Sequence, residues 1–208
     1  MCGRYHIDIS EEELRNIVNA AAGKAPPDEM SLMKTSGEIF PTDRVPVMSG
    51  PETFQPMQWG FTLEGIKGPP IINARQESLM EKPMFKKEIL RHRCLVPCSG
   101  YYEWKKASSG KGKGMKHYFH LLGKGTMYLA AIWRMERGAN LPRFSIITRD
   151  AVGDLADIHD RMPVIIPREL IDTWLTESSQ IAEVLRQATT EIGFENLDAP
   201  EPNLFDMM

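Results

Sequence analysis

The middle of the chain is a succession of short strand-like segments, and this feature restricts the fold more than any other. The segments are rich in aromatic and aliphatic residues and are separated by Gly, Ser and Pro. They lie at residues 93–97, 100–104, 117–122, 126–133 and 143–148. The chain contains no repeat and no linker long enough to divide it. The pattern therefore predicts a single α+β domain over residues 1–208, built on a mixed or antiparallel β-sheet with short flanking helices.

The segments on either side of this region predict helices, further strands and loops. Ser10 and Glu13 have capping-box spacing, and the apolar residues that follow at helical spacing predict a helix. Further short helices are predicted at 84–90, 150–158, 167–175 and 179–188, and further strands at 2–9, 45–48, 54–60, 71–75 and 164–166. Gly and Pro predict a linker at 25–29, a loop at 60–70 and a hairpin loop at 108–114. The tail, from about residue 193 to residue 208, is expected to be irregular.

Composition limits the class of protein and its compartment. The 208 residues are 42% hydrophobic and 25% charged, as in an ordinary globular protein. No apolar run approaches the ~20 residues needed to span a bilayer, and the first residues do not begin a signal peptide. Three cysteines, an odd number, argue against a disulfide framework and fit a reducing compartment. We therefore expect a cytoplasmic protein with no membrane partner, and a monomer by default.

Charge is distributed unevenly along the chain. Residues 82–116 contain ten Lys or Arg and two acidic residues, although the whole chain has a formal net charge of −3. From residue 150 to the end there are three Arg, no Lys and thirteen acidic residues. This asymmetry predicts one basic face directed at a polyanion, although a solvated lysine-rich loop explains residues 105–116 equally well.

The chain begins MCGRY, so that Cys2 follows the initiator methionine. Methionine is commonly removed before a small residue, and a cysteine at the N-terminus then carries a thiol and a free α-amine on adjacent carbons. An α-amine titrates near ~8 and lysine near ~10.4, so the α-amine is far more nucleophilic at neutral pH. It can condense with an aldehyde, after which the thiol closes a thiazolidine ring. The alternative is that a small residue simply happens to follow Met1.

Three further segments concentrate residues that are common in active sites. Asn73 and Arg75 lie two residues apart, on one face of a strand. Glu103 lies among aromatic residues, whose desolvation of the carboxylate would raise its pKa towards neutrality. His159 lies at an element boundary between charged residues. Each has a structural alternative: a turn or cap for Asn73, a surface ion pair for Glu103, and a salt-bridged corner for His159.

Taken together, these segments resemble the SOS-response-associated peptidase (SRAP) family of abasic site processing proteins. The matching motifs run in the family's order from the first residue to Pro163. They are MCGRY at 1–5, WG at 59–60, INAR at 72–75 with Glu77, CSGYYEW at 98–104, AAIW at 130–133, Thr148 and IHDRMP at 158–163. The resemblance implies a partly barrel-like β-sheet core with short helices.

The resemblance also implies a function and roles for individual residues. A protein of this family forms a covalent crosslink between its N-terminal cysteine and the aldehyde of an abasic site in single-stranded DNA, which shields the lesion. Members of the family are also described as autopeptidases that expose the N-terminal cysteine. In this chain only Met1 precedes Cys2, so methionine aminopeptidase could remove it equally well. No cofactor and no metal are implied. The implied catalytic residues are Cys2, Asn73, Glu103 and His159, and the implied DNA-binding residues are Arg4, Arg75, Trp104 and Thr148.

Some features depart from the family or permit other functions. The loop at 61–70 lacks the tryptophan that family members often carry there, so base stacking of ~1–3 kcal/mol is either missing or supplied elsewhere. Cys94 and Cys98 could join Cys2 and a histidine in a zinc site, but their spacing favours buried free thiols. The rival functions are an N-terminal-nucleophile hydrolase acting on a small amide and a non-covalent single-stranded DNA-binding module.

Overall fold

The computed structural model describes residues 2–105, 114–123 and 125–199. Fourteen strands lie within the described residues. They are β1 (Arg4–Ile7), β2 (Gly37–Ile39), β3 (Arg44–Gly50), β4 (Thr53–Trp59), β5 (Phe61–Leu63), β6 (Ile66–Ile71), β7 (Asn73–Arg75), β8 (Arg93–Cys98), β9 (Gly100–Lys105), β10 (Met115–Leu121), β11 (Met127–Arg134), β12 (Arg143–Asp150), β13 (Arg161–Pro163) and β14 (Ile192–Asn196).

The helices in the described residues are short. The α-helices are α1 (Glu12–Ala22), α2 (Pro27–Met30), α3 (Pro83–Arg91), α4 (Ile171–Thr176) and α5 (Ile181–Arg186). Single turns of 3₁₀-helix occupy Gln76–Ser78, Gly153–Asp157, Arg168–Leu170 and Ser178–Gln180. Helices were thus predicted in the right regions, although the one expected at 150–158 is a 3₁₀ turn and the linker expected at 25–29 contains α2.

The strands form two large sheets and one hairpin. One sheet has five strands in the order β14-β10-β9-β1-β2. The other has seven strands, and its path β11-β8-β3-β4-β12 closes on itself because β11 also pairs with β12. β12 runs parallel to β4 and β7 and antiparallel to β11 and β13. The mixed, partly barrel-like α+β fold is therefore confirmed.

Two apolar clusters hold the elements together. The first contains buried side chains from both large sheets, among them Tyr5, Tyr101, Trp59 and Phe144, so the two sheets pack against each other. The second joins the seven-stranded sheet to the helices and includes Trp174 of α4. Burying this apolar area is the main source of stability in a domain of this size.

The capping box predicted at the start of α1 is wrong. Helix α1 begins at Glu12 with no side-chain hydrogen bond at its cap. The Asp8 carboxylate instead accepts the Ser10 backbone N–H at 2.9 Å and forms an Asx turn ahead of the helix. Glu13 faces Tyr128, whose hydroxyl donates to it at 2.7 Å. The predicted apolar face of this helix is confirmed, because its members are all buried: Leu14, Ile17, Val18 and Ala21.

Two segments expected to be irregular are strands. The predicted loop at 60–70 contains β5 and β6, which form a hairpin whose turn includes Gly65 at φ +74°. The predicted irregular tail contains β14, which pairs with β10 along its whole length. Both form through backbone hydrogen bonds to a neighbouring strand, and such bonds do not require a recognisable pattern in the amino-acid sequence. Most of the hairpin loop predicted at 108–114, and the end of the tail, lie outside the described residues.

Candidate active site

Cys2 lies just before β1, and its side chain is fully buried. Its thiol is 3.9 Å from the carbonyl oxygen of Arg4. Burial raises the pKa of this thiol well above its ordinary value, and the negative charge of Glu103 raises it further. The Cys2 sulfur is therefore protonated at neutral pH, and a base must remove this proton before the sulfur can act as a nucleophile.

Asn73 holds the backbone of Cys2. It is the first residue of β7, whose pairing with β12 places it beside Ile146. Its side-chain Nδ2 donates to the carbonyl oxygen of Cys2 at 3.0 Å. The Asn73 Oδ1 atom is buried and accepts no hydrogen bond within the described part of the chain. Asn73 thus fixes the position of the N-terminal residue and keeps one acceptor available to a ligand.

Glu103 brings a carboxylate towards Cys2 from the five-stranded sheet, whereas Asn73 belongs to the seven-stranded sheet. Glu103 lies on β9, which runs antiparallel to β1 with Arg4 opposite Tyr102, and it is 4% exposed. Burial raises its pKa from 4.5 to about 7. The sequence predicted a shift in this direction, and it gives Glu103 an acid and a base form in similar amounts at neutral pH.

His159 approaches Glu103 from the 3₁₀ turn before β13. Its Nε2 atom lies 3.9 Å from the Glu103 carboxylate. Its Nδ1 atom accepts the backbone N–H of Arg161 at 3.0 Å and is 2.9 Å from the exposed Asp160 carboxylate. The Nδ1 atom thus meets both a donor, the Arg161 N–H, and an acceptor, the Asp160 carboxylate, whereas Nε2 is directed at Glu103. The four catalytic residues predicted from the sequence thus converge from four segments.

Arg4 and Trp104 lie on the outer face of the five-stranded sheet. The Arg4 guanidinium is 5.0 Å from the centre of a Trp104 ring and 4.3 Å from that of Phe40. Its Nη1 donates to the Glu38 carboxylate at 2.9 Å, and Lys116 Nζ donates to both oxygens of that carboxylate at 3.1 Å. The sequence did not single out Glu38, because its three-residue strand shows no periodicity. Lys116 was visible only as one member of the basic segment.

Arg75 and Thr148 occupy paired positions on β7 and β12. Arg75 is exposed, as a DNA contact would need to be, but the Thr148 side chain is fully buried. The Thr148 carbonyl oxygen accepts a hydrogen bond from Arg161 at 2.8 Å. Arg161 also donates to both oxygens of the Glu77 carboxylate, at 3.1 and 2.9 Å. Thr148 therefore lies beneath the surface in this structure, and its carbonyl holds an arginine.

The other cysteines are free thiols. Cys94 and Cys98 are fully buried, as expected, and burial raises the pKa of both well above the ordinary value. Within the described ranges, no group of three or more His, Cys, Asp or Glu residues could hold a metal ion. Among those same residues, no helix is both long and apolar enough to cross a membrane.

The chain resembles several characterised proteins along most of its length. The abasic site processing protein YedK of Escherichia coli (strain K12) is 29% identical over 195 residues, which is 88% of this chain and 85% of YedK. The abasic site processing protein YoaM of Bacillus subtilis (strain 168) is 29% identical over 150 residues, or 69% of this chain. That match covers 65% of YoaM, slightly under two thirds of its length.

Solved structures have the same fold. The crystal structure of a phage-related protein from Bordetella bronchiseptica has a TM-score of 0.73 at 28% identity and covers 95% of both chains. A protein from Bacteroides thetaiotaomicron has a TM-score of 0.74 at 21% identity, covers 94% of this chain and 91% of its own, and supports the fold alone. Residues 1–199 match the family model described as SOS response associated peptidase (SRAP). The resemblance seen in the motifs is thus confirmed, and the chain belongs to the SRAP family.

Proposed function

We propose that this protein captures the aldehyde of an abasic site in single-stranded DNA as a thiazolidine on Cys2. The observation that carries the proposal is the convergence of Cys2 with Asn73, Glu103 and His159. A carboxylate with a pKa of about 7 can act as the acid and the base that the Cys2 amine and thiol need for this reaction. The relatives from Escherichia coli and Bacillus subtilis are named abasic site processing proteins, which supports the same substrate.

The first step is cleavage of the peptide bond between Met1 and Cys2, which frees the Cys2 α-amine. Until this bond is cut, the Cys2 nitrogen is an amide and cannot attack an aldehyde. We assign this step to the protein itself or to methionine aminopeptidase. Asn73 keeps Cys2 in place through its carbonyl, so the new amine is formed beside Glu103 and His159.

The second step joins the amine to the ring-opened deoxyribose. The Cys2 nitrogen attacks the aldehyde carbon and gives a carbinolamine, which loses its hydroxyl as water and becomes an iminium ion. The protonated form of Glu103 donates the proton that this water takes away. His159 moves a proton to or from the sugar oxygen and so assists ring opening and its reversal.

The third step closes the ring. Glu103, now a carboxylate, accepts the proton of the Cys2 thiol, and the sulfur attacks the iminium carbon. Aldehyde, amine and thiol thus combine with the loss of one water molecule. The high pKa of the buried thiol makes this base necessary, because little thiolate is otherwise present.

The surface around Cys2 holds the strand. Arg4 and Arg75 bind phosphates, and Arg suits this role because its guanidinium donates two parallel hydrogen bonds. Trp104 offers a ring face for stacking. Thr148 acts from below this surface, through the carbonyl oxygen that holds Arg161.

The two rival functions make different demands on the same residues. A hydrolase that uses Cys2 as its nucleophile needs a readily formed thiolate, whereas burial and Glu103 both raise the pKa of this thiol. A non-covalent DNA-binding module needs neither Cys2 nor Glu103. Both rivals predict that no stable adduct with an abasic strand will form.

Denaturing gel electrophoresis tests the proposal. The purified protein is mixed with a single-stranded oligonucleotide carrying one abasic site, and in parallel with the intact oligonucleotide. We expect a heat-stable shifted band only with the abasic strand, no band with Cys2→Ala, and a weaker band with Cys2→Ser. The absence of a band from protein that begins at Cys2 by mass refutes covalent capture, and turnover of a small amide then supports the hydrolase.

A further inference from the structure

A carboxylate lies between two cations on the outer face of the five-stranded sheet. Glu38, on the edge strand β2, accepts from Arg4 on β1 and from Lys116 on β10. Both Lys116 contacts are 3.1 Å long, and the Arg4 contact is 2.9 Å. The two cations lower the pKa of Glu38, so this carboxylate is charged at neutral pH.

Aromatic rings surround the same two cations. Lys116 Nζ lies 4.0 Å from the centre of the Tyr102 ring and 5.7 Å from that of Trp104. Trp104 also lies beneath the Arg4 guanidinium. Cations positioned over ring faces next to stackable aromatics are a common arrangement in single-strand binding surfaces.

The three charged groups remain accessible to solvent. The exposed fractions of their side chains are 36% for Arg4, 26% for Glu38 and 23% for Lys116. Ion pairs this close to water are weak, so another anion can replace the carboxylate in them. The arrangement of donors, with an Arg and a Lys directed at one pair of oxygens, suits a phosphodiester as well as a carboxylate.

We propose that Arg4 and Lys116 form a phosphodiester subsite that Glu38 occupies in the free protein and that a backbone phosphate takes over when single-stranded DNA binds. This inference rests on the proposed function, to which it adds Lys116 as a DNA contact and Glu38 as a competing group. Glu38 lowers the affinity for every phosphodiester chain. The protein thereby holds undamaged strands weakly, and the Cys2 crosslink supplies most of the lasting attachment.

The subsite is close enough to Cys2 to bind the same strand. Arg4 is two residues from Cys2, so their Cα atoms are at most about 7 Å apart. A strand with its abasic sugar at Cys2 therefore brings a neighbouring phosphate to Arg4 and Lys116.

The test measures non-covalent binding of an intact single-stranded oligonucleotide by fluorescence anisotropy at several salt concentrations. We expect Glu38→Gln to tighten Kd about three- to tenfold, because two exposed ion pairs no longer compete with the phosphate. The slope of log affinity against log salt should stay nearly the same, because a phosphate contacts Arg4 and Lys116 in the bound state of both proteins. Glu38→Asp keeps the charge on a shorter arm and should give an intermediate affinity.

A matched control separates the local contact from net charge. Glu195, on β14 of the same sheet, carries an exposed carboxylate that lies 3.6 Å from His120, and Glu195→Gln changes the net charge by the same amount. We expect it to change Kd less than twofold. Lys116→Gln should cancel most of the gain from Glu38→Gln, because the released cation is then missing.

Several results would overturn the proposed subsite. The subsite is overturned if Glu38→Gln and Glu195→Gln change Kd equally. It is also overturned if Glu38→Gln binds the intact strand more weakly than the wild type. Should Glu38→Gln fail to fold, weaker binding by Glu38→Asp overturns it. The absence of intact-strand binding by every variant also overturns it. The abasic crosslinking assay, run on the same proteins, separates the two proposals. Normal crosslinking together with unchanged Kd values contradicts the subsite alone. No crosslinking together with the expected Kd values contradicts the thiazolidine alone.

Discussion

Glu103 combines its chemical role with a cost in stability, because its carboxylate is buried. Its pKa of about 7 means that the folded protein binds a proton more tightly than the unfolded chain, where the ordinary value is 4.5. The folded state therefore loses stability as the pH rises from about 4.5 to about 7. The same shift would provide a proton donor and acceptor near neutral pH for the Cys2 reaction that we propose.

Replacing Glu103 by Gln should therefore raise stability in a pH-dependent way. We compare the free energy of unfolding of Glu103→Gln with that of the wild type at two pH values. The difference in favour of the variant should be about 3 kcal/mol larger at about pH 8 than at about pH 4.5. Urea unfolding at both pH values measures this difference. Crosslinking should be slower in the variant at both. An identical stability difference at the two pH values contradicts the buried, titrating carboxylate.

In the proposed reaction, Asn73 acts through position rather than proton transfer. Asn73→Ala removes the amide that donates to the Cys2 carbonyl, so the N-terminal residue is no longer fixed. We expect crosslinking to slow by about 10- to 100-fold, since small misplacements of reacting groups have effects of this size. Single-turnover gel kinetics measures the rate. Asn19→Ala, at an exposed position on α1, serves as the control, and equal rates in the two variants contradict the role of Asn73.

At the scale of elements, the strand that carries Glu103 depends on a close approach of backbone to backbone. A Cβ atom at Gly100 would lie 2.2 Å from the carbonyl oxygen of Phe119 on β10 and 2.6 Å from the ring of Tyr118. The neighbouring backbone cannot yield as the end of a flexible side chain can. Gly100 therefore sets the spacing of β9 and β10, and through it the position of Glu103.

Gly100→Ala should accordingly reduce both stability and crosslinking. We expect a loss of about 2–4 kcal/mol in the free energy of unfolding, the range for overpacking together with a shift of backbone. Gly68→Ala on β6 is the control, because nothing lies within 4 Å of the added Cβ there. Urea unfolding monitored by tryptophan fluorescence compares the two. Similar stability of the two variants contradicts the tight β9–β10 contact.

The elements that the sequence predicted well are those with a strong side-chain pattern. The apolar face of α1 and the aromatic-rich strand at 100–104 were both visible, and the motifs at Cys2, Asn73, Glu103 and His159 indicated the residues that meet in space. The hairpin β5–β6, strand β14 and the short strand β2 were missed, and the strand predicted at 164–166 lies instead at Arg161–Pro163. Their positions depend on which backbone they pair with, and that depends on tertiary structure. Glu38 was missed for the same reason, since only the fold brings it between Arg4 and Lys116.

At the scale of the whole molecule, we expect stability and DNA binding to depend on different tryptophans. Trp174 is buried in the cluster that joins the helices to the seven-stranded sheet, and its Nε1 donates to the Cys94 carbonyl at 3.0 Å. Trp104 is half-buried on the outer face beside Arg4. The core side chain contributes to folding, and the surface side chain is free to meet a ligand.

We therefore expect opposite consequences from two Trp→Ala changes. Trp174→Ala should cost about 3–5 kcal/mol of unfolding free energy through the cavity it leaves. Trp104→Ala should cost less than about 1.5 kcal/mol but weaken binding of intact single strands about 5- to 50-fold through lost stacking. Thermal unfolding and fluorescence anisotropy measure the two effects. A destabilised Trp104 variant with unchanged affinity contradicts this division.

In the reaction that we propose, both the amine and the thiol of Cys2 bond to the aldehyde carbon. Mass spectrometry of the N-terminal peptide, isolated after reaction with an abasic single strand and digestion of protein and DNA, tests it directly. We expect a peptide that begins at Cys2, carries the sugar remnant less one water, and resists both thiol alkylation and borohydride reduction. A peptide with a free, alkylatable thiol, or one that still contains Met1, would contradict it.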